Sequence, residues 1–253
     1  MRILLTNDDG IEAFGLQSLR QALGAGHELY IVAPEKEQSA MSHAITMHKP
    51  LHAHLVPYPD AKGWSVNGTP SDCAKLGIEA LLPERPQLLI SGINQGSNLG
   101  RDVFYSGTVS AAMEGMFLGV PSVAVSYAGR DEAGLSWTAQ FIAWWLTDKS
   151  FVPPLAGTFY NVNIPNIKEG LPTTLVRVPL GRREYNNDFH RRVDPRGNEY
   201  YWLAGNPRDD TADPNTDVGA LAGGLITLTV LDMDVTSDHF QIDNRIELPP
   251  RFS

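Results

Sequence analysis

The chain has 253 residues, 42% of them hydrophobic and 19% charged, a globular composition at a length where an α/β chain commonly forms one domain, with room for an appended arm. No apolar run approaches the roughly 20 residues that span a bilayer, and a lone cysteine, Cys73, excludes an internal disulfide, makes a poor zinc site and reads as a small buried apolar residue. Twenty Lys and Arg against 29 Asp and Glu leave a net charge of −9, which argues against a general nucleic-acid surface, duplex included. Phosphate, if handled, is handled locally. The chain opens directly on a strand-like RILLT, without a basic and apolar leader, so the expectation is a cytoplasmic protein with no membrane partner.

RILLTN is a short apolar strand, and after the break at Asp8-Asp9-Gly10 the spacing of Leu16, Leu19 and Leu23 predicts a helix from Gly15 to Leu23. A second strand, Glu28 to Pro34, ends in proline; EKEQSAMSHA after it has no period and reads as a loop. Extended segments follow at His48 to Tyr58 and Trp64 to Asn67, then a helix in GTPSDCAKLGIEALL capped by Thr69 or Ser71. Gln87 to Gly92 is the next buried strand, INQGSNLGRDVFY a loop rich in Gly and Asn, and SGTVSAAMEGMFLG a helix from Ser106. PSVAVSY adds a strand and Leu135 to Leu146 a helix.

Strands alternating with helices predict an α/β fold: a doubly wound, mostly parallel, Rossmann-like sheet with helices on both faces and ligands at the carboxyl ends of its strands. Those ends carry Asp8 and Asp9, the loop with Ser39, and the loop beginning near Asn94. The chain divides into an α/β core with the site, 1–158, and a region 159–253 that holds the remaining core strand, FYNVNIP, with hairpins and a C-terminal arm around GLITLTVL. Extended hairpins leave edges that a second copy can cover, so a homo-oligomer through this region is expected.

Three stretches carry candidate chemistry. Asp8 and Asp9 at a strand end are hard oxygen ligands suited to Mg²⁺, Mn²⁺ or Ca²⁺, provided the strand breaks so that both face one ion, and Gly10 tolerates such a break. Taken alone, the doublet is more commonly an Asx turn with a helix cap. SGINQGSNLG offers the side-chain amides of Asn94 and Asn98 for metal or phosphate, with loop capping as the commoner use. YSGTVSAAMEG places Ser106 and Thr108 at a helix start, where free N–H groups and the dipole draw anions, although an ordinary serine cap has the same appearance.

Together these stretches resemble the SurE family of stationary-phase survival proteins, metal-dependent 5′-nucleotidases. The resemblance runs through MRILLTNDDGIEAFG, APEKEQSAMSHAIT, VNGTPSDCAKLGI, LLISGINQGSNLGRDVFYSGTVSAAMEG, NVNIPN, DPRGNEYYWLAG and TDVGALAGG, in the family's order and over nearly the whole chain. It implies one divalent cation per subunit on Asp8, Asp9, Ser39 and Asn94, with Asp8 and Asp9 as the catalytic carboxylates. Asn98 and the Ser106-Gly107-Thr108 turn become the phosphate contacts. It further implies hydrolysis of nucleoside 5′-monophosphates by metal-activated water, with 3′-monophosphates and short polyphosphate left open, and a homodimer or homotetramer through the C-terminal arm. A catalytically weak nucleotide-binding or scaffold protein of the same fold is the alternative. The chain departs from the family in reading Ser39-Ala40 where Ser-Gly is usual, and GLITLTVL where glycine-tyrosine and threonine-proline pairs are common. It also has Asp238 where a histidine is frequent, with His239 next to it.

Other enzyme classes lack their signatures. Aspartyl-phosphate phosphatases separate two aspartates by one residue, whereas Asp8 and Asp9 are adjacent. There is no GxSxG elbow and no GxGxxG after the first strand. His43, His48, His52 and His54 have no accompanying cysteine or carboxylate pattern and read as an extended segment near the mouth rather than a zinc site. Arg182, Arg183, Arg191, Arg192, Arg196 and Arg208 read as salt bridges or a solvated face, and Tyr200, Tyr201 and Trp202 as packing before nucleobase stacking. Of Trp144 and Trp145, at least one belongs to the core.

Overall fold

The computed structural model describes residues 1–186, 188–205 and 207–235; the arm positions Asp238 and His239 lie outside them. In chain order the elements are β1 (Arg2–Thr6), α1 (Phe14–Leu23), β2 (Glu28–Pro34), β3 (Ala53–Pro57), β4 (Ala61–Val66) and α2 (Pro70–Leu76), which runs into a π-helical turn at Gly77–Leu81. Then come β5 (Leu88–Gln95), a 3₁₀ turn at Gly100–Phe104, α3 (Gly107–Phe117), β6 (Ser122–Tyr127), α4 (Glu132–Thr147) and β7 (Phe159–Ile164). The remainder comprises β8 (Leu175–Arg177), β9 (Arg183–Tyr185), β10 (Asp188–Val193), β11 (Glu199–Ala204), β12 (Pro207–Asp209), α5 (Asp217–Ala222) and β13 (Ile226–Leu231).

One nine-stranded sheet runs in the order β3-β4-β2-β1-β5-β6-β7-β13-β8. From β4 to β7 all neighbours are parallel; β3 closes one edge antiparallel to β4, and β13 lies antiparallel to β7. β2 lies on one side of β1 and β5 on the other, so the winding reverses at β1 and a crevice opens above its carboxyl end. The sheet crosses the sequence boundary at residue 158 and takes in β7, β8 and β13, so GLITLTVL, expected as the arm, is instead a core strand paired between β7 and β8, and the region supplies three sheet strands rather than one.

Strand periodicity explains why β1 is rigid. Ile3 and Leu5 face the core beneath α1 and α4, while Leu4 faces the opposite core beneath α2 and α3. All three are fully buried, and each such side chain contributes roughly 1.5–3 kcal/mol. The strand that delivers Asp8 and Asp9 is therefore clamped from both faces. Cys73 is buried in the second core, where desolvation holds its thiol well above the ordinary range. Trp145 is 4% exposed and Trp144 57% exposed, so one of the pair is core.

The structure refines several sequence expectations. Thr69, not Ser71, caps α2, in a reciprocal box with Asp72. β4 begins three residues before Trp64. The segment read as loop after Gly92 stays in the sheet to Gln95, because a bulge between Ser91 and Asn94 lets β5 resume pairing with β6. The short β8 and α5 carry too little periodicity to be visible in sequence. The hairpin region forms two separate two-stranded sheets, β10–β11 and β9–β12.

Candidate active site

Chain from the ends of β1, β5 and β2 and from the start of α3 converges on one cleft of about 1070 Å³. Asp8, Asp9, Ser39, Asn94, Asn98 and Ser106 all line it. β1 stops at Thr6, and Gly10 at φ +101° turns the chain back. Asn7 secures the turn by donating its amide to the Gly10 carbonyl at 2.8 Å, and the Asp8 carbonyl receives the Gln38 N–H at 2.7 Å. That last bond ties the first loop to the Ser39 loop.

Asp8 and Asp9 occupy different surroundings. Asp8 is 5% exposed, and Thr108 donates its hydroxyl to it. Burial raises the Asp8 pKa, opposed by the Thr108 hydroxyl and by the backbone N–H groups of Asp8 and Thr108. The start of α3 is pressed against this carboxylate: a Cβ on Gly107 would lie 2.8 Å from the Asp8 Cβ and 3.0 Å from Pro70 Cγ. Asp9 is half-buried, and its Oδ2 is sealed from water without a hydrogen-bond partner. Burial first, then the charges of Asp8 and Glu37, push its pKa up to about 6.

An unpaired buried carboxylate oxygen beside a second carboxylate is costly unless a cation answers it. Among the described residues no group of three or more His, Cys, Asp or Glu is arranged to hold a metal, so a cation here depends on two carboxylates and neutral oxygens. Ser39 donates its hydroxyl to Glu37 at 2.6 Å, which leaves its oxygen lone pairs to the cleft. Asn94 donates its amide to the Gly96 carbonyl at 2.8 Å, which similarly turns the carbonyl end of its side chain to other use. The donor set suits a hard divalent ion.

Asn98 is a hub as well as a cleft residue. Its N–H donates to Asn163 Oδ1 at 2.8 Å, its side-chain amide to Ser126 at 2.8 Å, and its carbonyl receives the amides of Asn161 and Asn163. Ser106 caps α3 by accepting the Val109 N–H at 3.2 Å, so its own hydroxyl proton remains available to an anion. Gly107 and Thr108 do not line the cleft: both are buried against Asp8, and the Thr108 hydroxyl expected at a phosphate is spent on that carboxylate instead.

Several site residues escaped the sequence reading. Glu37, Arg101, Asp102, Tyr105, Arg130 and Tyr185 also line the cleft. The only signal for Glu37 was a carboxylate two positions before Ser39. Arg183 is the one member of the basic group drawn inward: at 11% side-chain exposure it bridges Asp102 at 2.8 Å and Asp209 at 2.7 Å, tying β9–β12 to the 3₁₀ turn. Tyr185 donates to Asp102 at 2.8 Å, and burial together with that carboxylate pushes its pKa up to about 12. Tyr200, Tyr201 and Trp202 are 44%, 57% and 66% exposed, so they do not pack into this chain's core. His43 reaches Glu114 at 2.8 Å, which Lys75 also binds at 2.9 Å; the histidine anchors a loop.

A family model described as survival protein SurE matches residues 3–187. The chain belongs to the SurE family. It is 49% identical to a protein of Pelotomaculum thermopropionicum named 5′-nucleotidase SurE, over 93% of this chain and 91% of that one. Identity to the 5′-nucleotidase SurE of Gloeobacter violaceus is 47%, covering 93% and 91%. The crystal structure of the SurE protein from Aquifex aeolicus superposes with a TM-score of 0.79 at 35% identity, over 93% of this chain and 95% of that one. No helix among the described residues is long and apolar enough to cross a membrane.

Proposed function

We propose that this SurE family member is a divalent-cation-dependent phosphomonoesterase that hydrolyses nucleoside 5′-monophosphates. The observation that carries the reading is the unpartnered, buried Oδ2 of Asp9, which lines the cleft beside Asp8, in a chain whose relatives bear the name 5′-nucleotidase. Asp8, Asp9, Ser39 and Asn94 would hold Mg²⁺, Mn²⁺ or Ca²⁺. Bound there, the cation supplies Lewis acidity that neutralises phosphoryl charge and makes water a better nucleophile.

The protein's own residues do the rest. Asn98 and Ser106, with the N–H groups opening α3, orient the phosphoryl oxygens and stabilise charge as it develops. Thr108 and Gly107 keep Asp8 in place. Asp9 lines the cleft and is only half-buried, which places it to take a proton from the attacking water. Water adds to phosphorus as its proton passes to Asp9, the P–O5′ bond breaks, the leaving alkoxide takes a proton from solvent to become the nucleoside hydroxyl, and Asp9 returns its proton to solvent. Cationic groups on an acidic protein, Arg101 and Arg130, face the same cleft and favour an anionic substrate there.

Self-association belongs to the same proposal: β10–β11 exposes Phe189, Val193, Tyr201 and Leu203, a larger apolar surface than an isolated hairpin needs. The deciding experiment is phosphate release from AMP with EDTA, then after restoring Mn²⁺ or Mg²⁺. Absence of metal-dependent release from every nucleoside monophosphate refutes the reading.

A further inference from the structure

Behind the cleft lies a row of polar side chains that the hydrolytic chemistry does not touch. Ser126 on β6 and Asn161 and Asn163 on β7 are all 0% exposed, and Ser126 stands directly opposite Asn163 across the β6–β7 ladder. All three point to the sheet face that carries Ala124 and Phe159, the face packed by α3. Inner strands of a mostly parallel sheet are ordinarily apolar on both faces, and a polar group buried there is costly unless it is paired. Asn161 is tolerated even though its Oδ1 is sealed without a partner.

The row converges on one residue, Asn98. Asn163 binds it as a neighbouring strand would: its Oδ1 accepts the Asn98 N–H at 2.8 Å and its Nδ2 donates to the Asn98 carbonyl at 3.1 Å. A side-chain amide thus supplies both ladder bonds to a loop peptide that has left the sheet, since β5 ends at Gln95. Asn161 donates to the same carbonyl at 2.8 Å. Ser126 accepts from the Asn98 side-chain amide at 2.8 Å. That bond fixes the rotation of the amide and commits one of its two protons, leaving the other for an oxygen in the cleft that Asn98 lines. Among the described residues no side-chain hydrogen bond joins this row to Asp8, Asp9, Ser39 or Asn94.

We propose that Ser126 and Asn163 are positioning residues for phosphoryl transfer: they touch no substrate and act through Asn98, Asn163 by clamping its peptide and Ser126 by aiming its amide N–H at a phosphoryl oxygen. The inference rests on the phosphomonoesterase reading above and extends it from the cleft to the strands behind it. A donor already aimed stabilises charge as it develops, whereas one that must first rotate into place loses that advantage. The loss therefore falls on phosphoryl recognition and not on cation affinity.

A double-mutant cycle on the full chain tests this, with Ser126→Ala and Asn98→Ala made singly and together and kcat/KM measured for AMP. Ser126→Ala is expected to lower kcat/KM on the order of 10-fold in the parent, and by no more than about 2-fold in the Asn98→Ala background, where the group it acts through is gone. Mn²⁺ affinity, followed by electron paramagnetic resonance of the free ion, should stay within about 2-fold of the parent in Ser126→Ala. Parental kcat/KM in Ser126→Ala, an equal loss in both backgrounds, or a matching loss of Mn²⁺ affinity overturns the proposal. Asn163→Ala, run through the same cycle, decides the question where Ser126→Ala does not fold. Binding of inorganic phosphate, measured by calorimetry with Mg²⁺ present, needs no turnover. Phosphate affinity lowered by Ser126→Ala in the parent but not in Asn98→Ala supports the positioning role even where no nucleoside monophosphate is hydrolysed, an outcome that removes only the hydrolytic reading. Phosphate that fails to bind the parent, or binds it and Ser126→Ala alike, overturns the proposal.

Discussion

Replacing Gly107 with alanine tests how closely α3 is seated on Asp8. The new Cβ would lie 2.8 Å from the Asp8 Cβ, 3.0 Å from Asp8 Oδ2 and 3.0 Å from Pro70 Cγ, where carbon atoms normally stand about 3.5–4.0 Å apart. None of these neighbours is the end of a flexible chain: Asp8 is held by Thr108 and by the Gln38 N–H, and Pro70 opens α2. The helix start must retreat by roughly 0.5–1 Å to restore contact distance. Overpacking of this kind costs about 1–3 kcal/mol, offset by up to about 1 kcal/mol from alanine's better helix propensity. The net destabilisation is about 1–2 kcal/mol, read as a fall in Tm of about 2–8 °C for a chain of this size. Because Ser106 and the first N–H groups of α3 move with the helix, phosphate release should fall on the order of 10- to 100-fold. Gly26→Ala is the control, since a Cβ there meets nothing within 4 Å. Gly107→Ala with parental activity and a Tm matching the control would refute the tight apposition and the role given to the helix start.

The same geometry fixes three further outcomes. Asp9, with a folded pKa raised from 3.8 to about 6, holds more protons folded than unfolded, so the stability of EDTA-treated protein should fall as pH rises through that window; Asp9→Asn should flatten this dependence in thermal melts and abolish the Tm gain on adding Mn²⁺, and an unaltered gain would exclude Asp9 as a ligand. Ala40 sits at φ +56°, a conformation glycine adopts freely and β-branched residues resist, so melting temperatures should rank Ala40→Gly at or above the parent and Ala40→Val below it by about 1 kcal/mol; the reverse order counts against strain in the Ser39 loop. Arg183→Ala should cost about 3 kcal/mol in urea unfolding by leaving Asp102 and Asp209 unpaired, and Arg183→Lys should recover less than half, because one ammonium cannot span two carboxylates as a guanidinium does; a loss within about 0.5 kcal/mol, the range of an ordinary surface substitution, would show the bridge to be incidental.

Local pattern alone determined much of this protein. Runs such as RILLT and ELYIVAP are buried on both faces and can only be inner parallel strands, and the strand–helix alternation orders them. Strand ends place Asp8, Ser39 and Asn94 on the same side of the sheet, so their shared cleft is legible before any coordinates exist. Tertiary structure decided what local pattern cannot encode. Thr108 and Asp8 are a hundred residues apart, and only the seating of the start of α3 against the turn after β1 shows that the threonine serves the carboxylate. Arg183 is indistinguishable from its basic neighbours until β9 folds back on the 3₁₀ turn. Phe189 and Leu203 likewise line the cleft together only through the register of β10 against β11, which brings them to one face. Burial, pairing and pKa arise from neighbours distant in sequence, and periodicity reports only which face a residue occupies.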